Sequence, residues 1–160
     1  MGPLDGRLFG EDNPCFGCSV NHPHGFHLSF TREGEEVVSH FTPGAQYQGP
    51  PGIMHGGLVM TLADEVAAWA LVAGLHKFGF TAQVDGKFKR PVRIGVDTEL
   101  RAHIVKASFR VVRVVASIRQ QGESCYEGNF VFALMDQAGA EKLLQAPLPE
   151  AWKRFAAGQP

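Results

Sequence analysis

The stretch "GIMHGGLVMTLADEVAAWALVAGL", beginning at Gly52, sets Asp64 and Glu65 side by side in an otherwise apolar run, just after His55, Gly56 and Gly57. Adjacent residues on a helix point about 100° apart, so the two acids cannot share one direction. An acid at a solvated rim, or bonded to a nearby backbone group, would need no further account. An acid aimed into a cleft does: apolar surroundings raise its basicity and hold it against a bound molecule. Burying a carboxylate without a partner costs several kcal/mol, which makes the pair the first place to look for chemistry.

The glycines supply a complementary group. The first N–H groups of a helix have no intrahelical partner, and glycine lets a ligand approach the backbone closely, so "HGG" outlines a donor site for developing negative charge. A tight entry into a buried helix would explain an isolated "HGG" equally well. The pattern becomes specific when an acid follows on the same helix, and Asp64 lies nine residues after His55.

The helix runs from about Gly56 to Leu75, with Gly74 and Gly79 expected to close it. Its only charges after Leu58 are the two acids, so sheet or a partner chain must surround it. Before it, "FHLSF" and "EVVSHF" read as a hairpin, and "TPGAQYQGPPG" is an irregular connection interrupted by Pro50 and Pro51. After it, "FTAQVDGKFKRPV", "TELRAHIVKAS", "FRVVRVVASIRQQ" and "SCYEGNFVFALMD" read as a four-strand meander. In the first of these, strict alternation puts Thr81, Gln83, Asp85, Lys87 and Lys89 on one face, and Ala82, Val84 and Phe88 on the other. The expected fold is α+β, an antiparallel sheet wrapped around one long central helix. It is expected to form a single domain over 1–160, with an N-terminal loop (1–25), the central helix (55–75) and a C-terminal tail (138–160) holding one or two short helices.

Fifteen basic and sixteen acidic residues give a formal charge of −1, which offers nothing to a nucleic acid. The N-terminus lacks a basic n-region and an apolar h-region. Each of the two acids would cost the central helix roughly 2.5–3.5 kcal/mol in a bilayer, so no membrane partner is expected. The odd cysteine count, Cys15, Cys18 and Cys125, argues for a reducing compartment, with the cytoplasm as the default. Cys15 and Cys18 have zinc-compatible spacing, with His22, His24 and His27 following. Cys125 reads as a small core or interface residue.

"GPPGIMHGGLVMTLADE" followed by "TAQVDGKFKRPV" resembles the hotdog-fold acyl-CoA thioesterases of the 4-hydroxybenzoyl-CoA thioesterase superfamily, particularly the PaaI-like and mitochondrial acyl-CoA members. The opening "CFGCSVNHPHGFHLSF" is similar to theirs too, and the resemblance spans roughly Cys15 to Met135. It implies hydrolysis of a coenzyme A thioester to free acid and CoA. Asp64 would be general base or nucleophile, Gly56 the backbone donor to the carbonyl, and His55 a shaper of that corner. Thr81 would orient water from the partner subunit, in a homodimer or dimer of dimers. No cofactor or metal is implied, and the CxxC would be a folded loop over the site's mouth. Many relatives carry Asn six residues before the HGG histidine; here Gly49 stands there, with Gln48 as the candidate substitute. Gly57 and Gln48 would contact substrate, and the cluster Lys87, Lys89, Arg90 and Arg93 offers cations to CoA phosphates, Lys89 and Arg90 foremost. Met60 and Trp69 are candidates for the acyl pocket. The competing readings are a non-catalytic acyl-CoA sensor and a hotdog acyl dehydratase, whose His and Glu form a different pattern.

Overall fold

The computed structural model describes residues 4–158. Seven strands form one antiparallel sheet: β1 (Leu4–Asp5), β2 (Ser29–Glu33), β3 (Glu36–Phe41), β4 (Phe78–Phe88), β5 (Thr98–Ala107), β6 (Val111–Gln120) and β7 (Glu123–Met135). Their spatial order is β1-β2-β3-β5-β6-β7-β4. The central helix α1 (Gly56–Leu75) connects β3 to β4, while α2 (Gln137–Leu144) and α3 (Glu150–Ala156) close the chain. Asp5 and the short β1 were not expected from the sequence, which read as loop up to residue 25; two residues are too few to show an alternating pattern.

The apolar stripe of α1 explains its place. Leu62, Ala63, Val66, Ala67 and Leu71 are fully buried. The sheet curls around the helix and buries this stripe, which in hydrophobic terms contributes about 25 cal/mol per Å² removed from water. Trp69 extends the core on another face, stacked on Phe30 with ring centroids 4.6 Å apart. The helix ends at His76, not at a glycine: His76 takes the left-handed conformation (φ 54°, ψ 44°), and its N–H bonds back into the last turn. Gly79 belongs to β4, where a Cβ would press on the carbonyl oxygen of Ala133 at 2.8 Å.

Turn chemistry sets the sheet's register. β6 and β7 meet through Gln121 and Gly122, both at positive φ (51° and 78°), as a two-residue type I′ hairpin requires. β4 departs from simple alternation. Its pairing with β7 slips between Thr81 and Gln83, a bulge that leaves Ala82 as the extra residue. The slip reverses the faces, so Thr81 points inward with Val84, Gly86 and Phe88, not outward with Gln83 as alternation alone predicts. β4 is also an edge strand, bonded only to β7, and its other side presents unpaired backbone groups.

Below that edge the Tyr126 hydroxyl is buried without a hydrogen-bond partner among the described residues. It fills the space that side chains at Gly86 and Gly128 would occupy. An unsatisfied buried hydroxyl costs about 1–3 kcal/mol, so Tyr126→Phe is expected to stabilise the protein by about 1 kcal/mol in urea unfolding. A loss of stability would mean that the hydroxyl has a partner.

Candidate active site

The two acids of α1 do face different ways, and their surroundings differ in kind. Asp64 is half-buried and accepts a 2.8 Å hydrogen bond from Thr81 Oγ1. Burial raises its pKa above the ordinary aspartate value, and the Thr81 bond pulls against that rise. The inward turn of Thr81 depends on the β4 bulge. Both residues belong to one chain, which corrects the expectation, implied by the resemblance, that Thr81 would act from the partner subunit.

The helix N-terminus is arranged for donation. His55 caps it, and His55 Nδ1 accepts from Gly57 N–H at 3.0 Å. The carbonyl of His55 takes the N–H groups of Leu58 and Val59. Gly56 N–H has no partner among the described residues. Of the two glycines, Gly56 is thus the free donor, while Gly57 is committed to the cap.

A cleft of about 370 Å³ opens beside this donor, lined by Gly56, Phe88, Lys89, Arg90, Pro50 and Ile53 among others. Lys89 Nζ pairs with Glu127 at 2.7 Å and Arg90 with Glu123 at 3.2 Å, both exposed. Exposed pairs contribute under about 1 kcal/mol, so a phosphate could draw these cations away at small cost. Gly49 packs its backbone on His55, where a Cβ would stand 3.2 Å from the His55 Cα. Gln48 is held in its own loop, its Oε1 accepting from Gly52 N–H at 3.0 Å.

Glu65 turns toward the N-terminal loop. Its carboxylate accepts from Trp69 Nε1 at 3.2 Å and lies 3.4 Å from Cys15 Sγ. Burial, and then the Cys15 charge, push Glu65 up to about 8. Cys15 is pulled down to about 5, first by the Cys18 thiol and further by the backbone N–H groups of Cys18 and Gly17, while Cys18 is pushed up by Cys15 and by burial. His22, His24 and His27 do not join this group; His27 instead bonds the carbonyl of His22. Beside the group, a cavity of about 440 Å³ lies between α1 and the two C-terminal helices, with Trp69 in its wall. Met60 packs half-buried against the core. Cys125 is buried, as expected of a core residue.

Comparison with known proteins agrees with the fold and the helix. The family described as the thioesterase superfamily matches residues 51–126, which hold the HGG turn, α1 and β4. An acyl-coenzyme A thioesterase, THEM4 of Xenopus laevis, is 28% identical over 100 residues, covering 61% of this chain and 43% of the relative. A 3-hydroxyacyl-acyl-carrier-protein dehydratase, FabZ of Thermomicrobium roseum, is 34% identical over 98 residues, covering 59% of this chain and 65% of the relative. The matches thus span less than two thirds of either curated relative. A Streptococcus pneumoniae structure, described as a hypothetical thioesterase protein with coenzyme A, superposes with a TM-score of 0.62 at 17% identity over 68% of this chain and 88% of its own. The motif segment thus matches the thioesterase superfamily in sequence, and the sheet wrapped on its helix has the fold of the solved thioesterases.

Proposed function

We propose that this protein hydrolyses acyl-CoA thioesters, with Asp64 as the base or nucleophile and Gly56 N–H as the donor to the carbonyl oxygen. The observation that carries this reading is the pairing, on one helix, of a half-buried acid held by Thr81 with a single unengaged N–H at the helix start. A thioester carbonyl at Gly56 becomes an oxyanion as the nucleophile adds, and a fixed N–H aimed at it supplies about 3–4 kcal/mol. Asp64 either takes the proton of an attacking water or attacks directly; its raised basicity serves both. Lys89 and Arg90 at the cleft's rim suit the CoA phosphates, and this chemistry needs no metal or cofactor.

Helix geometry decides how the parts combine. Eight residues separate Gly56 from Asp64, which at a rise of 1.5 Å is about 12 Å, too far for both to meet one carbonyl. The donor and the acid must therefore come from two chains. The free edge of β4, with Phe80 and Phe88 each 54% exposed beside it, is the surface on which a second copy would pair. A two-fold axis there runs the two α1 helices antiparallel, donor of one against acid of the other.

The FabZ match favours one second reading, dehydration of an acyl thioester. That reaction would use a His and a Glu, and Glu65, the only glutamate of α1, is turned away from Asp64 and into the cysteine loop. A panel of aliphatic and aromatic acyl-CoAs, with thiol release as the readout, separates the readings. Release of CoA is expected, without hydration of an enoyl thioester. Tight binding without release would identify a sensor, and enoyl hydration a dehydratase.

The Thr81 bond yields a pH test. Asp64 acts ionised, so kcat/KM rises with pH through its pKa, and burial sets that limb above the ordinary aspartate range. Thr81→Val removes a contact that lowers the pKa, so the acid limb is expected to move to higher pH, while Thr81→Ser leaves it in place. An unmoved limb in the valine variant would remove Thr81 from the mechanism.

A further inference from the structure

Glu65 poses the question that Asp64 does not answer: a half-buried carboxylate beside one buried and one half-buried thiol, with no cationic side chain in contact with it among the described residues. We propose that Cys15, Cys18 and Glu65 form a zinc site with one coordination position open to the cavity beneath α2 and α3. The three ligand atoms lie within 4.8 Å of one another, and Cys15 Sγ stands 3.4 Å and 3.7 Å from the two Glu65 oxygens. Four-coordinate zinc, with bonds of roughly 2.3 Å to sulfur and 2.0–2.2 Å to oxygen, sets tetrahedral edges of about 3.6–3.8 Å, so a small contraction suffices. A divalent cation also supplies the counter-charge that a half-buried carboxylate and two thiolates require. Coordination by two thiolates and a carboxylate releases to solvent the protons that the three groups carry.

The surroundings hold the three groups in place as an outer shell does. Trp69 Nε1 fixes Glu65 Oε1, and with it the carboxylate whose two oxygens both face Cys15. Asn13, itself buried, donates to Cys18 Sγ at 3.7 Å and to the carbonyl of Gly6, and its Oδ1 accepts Cys15 N–H at 3.2 Å. Gly17 carries no side chain because any Cβ would collide with the Glu65 carboxylate. The loop backbone is thereby laid directly on the acid. Three protein ligands with the fourth side facing a cavity walled by Phe9, Trp69, Phe78 and Trp152 leave room for an exchangeable ligand.

The test uses the full chain, stripped with a chelator under reducing conditions and titrated with zinc sulfate against a chromophoric competitor, in parallel with cobalt(II). One zinc per chain is expected, and cobalt should develop thiolate charge-transfer absorption with the visible bands of a tetrahedral ion. Cys15→Ser/Cys18→Ser should abolish both, Cys125→Ser should change neither, and Glu65→Gln should weaken zinc binding tenfold or more while the thiolate band survives. Should the double serine variant fail to fold by circular dichroism, the cobalt spectra of wild type and Cys125→Ser decide the matter alone. Zinc uptake by wild type no greater than by the double serine variant overturns the proposal. So does a Cys15–Cys18 disulfide in a protein that takes up no metal once reduced, which would make the pair a redox couple.

Discussion

Gly56→Pro is expected to lower kcat/KM for acyl-CoA hydrolysis by about 10²–10³-fold, the loss typical of one oxyanion donor, while the melting temperature stays near that of wild type. The substitution replaces the N–H hydrogen by a ring carbon and closes the ring through two more, without breaking an intrahelical bond. Proline is tolerated at the first helical position, where its missing N–H breaks no intrahelical bond. His55, the residue before it, already has φ −58° and ψ 130°, the extended backbone that a following proline demands. A Cβ at position 56 meets only the Phe88 ring, at 3.6 Å and 3.8 Å, which is ordinary contact. Gly56→Ala adds only the Cβ and keeps the N–H, so it should hold activity within a few-fold. A proline variant as active as the alanine variant would place the carbonyl elsewhere.

How much of this was legible in the residues follows from the range of each signal. The helix was readable because its period, its apolar content and the flanking turns are local; α1 spans Gly56–Leu75 as the pattern indicates. The strands after it were readable for the same reason. The Thr81 contact was not, because it depends on a bulge that inserts Ala82 against β7, and bulges leave no mark on a period-two pattern. The end of α1 was misplaced for a related reason: an exposed His76 adopts the left-handed conformation that glycine usually takes. The Cys15–Cys18 spacing was visible, but the nearby histidines drew attention from the true neighbour, Glu65, fifty residues away. Only the fold, by laying the N-terminal loop over α1, joins the two. The unusual pair of acids therefore has two separate accounts, one at a cleft and one beneath a loop, as their 100° divergence on the helix requires.

Mixed oligomers test the division of the site between chains most directly. Asp64→Asn alone should lose about 10²–10⁴ in rate, as expected when a general base is removed. The Gly56→Pro chain retains Asp64, and the Asp64→Asn chain retains the Gly56 donor. In a dimer of one of each, one site combines both defects and the other combines both intact groups. Co-expressed chains with different tags, purified through both, should therefore recover about half the activity of wild type from two nearly inactive parents. That recovery can arise only if the N–H and the carboxylate that meet at one thioester belong to different subunits, the arrangement proposed from the roughly 12 Å between them along a single helix. Doubly tagged oligomers as inactive as their parents would put both groups in one chain, and some other residue would then have to stand within reach of Asp64 as the oxyanion donor.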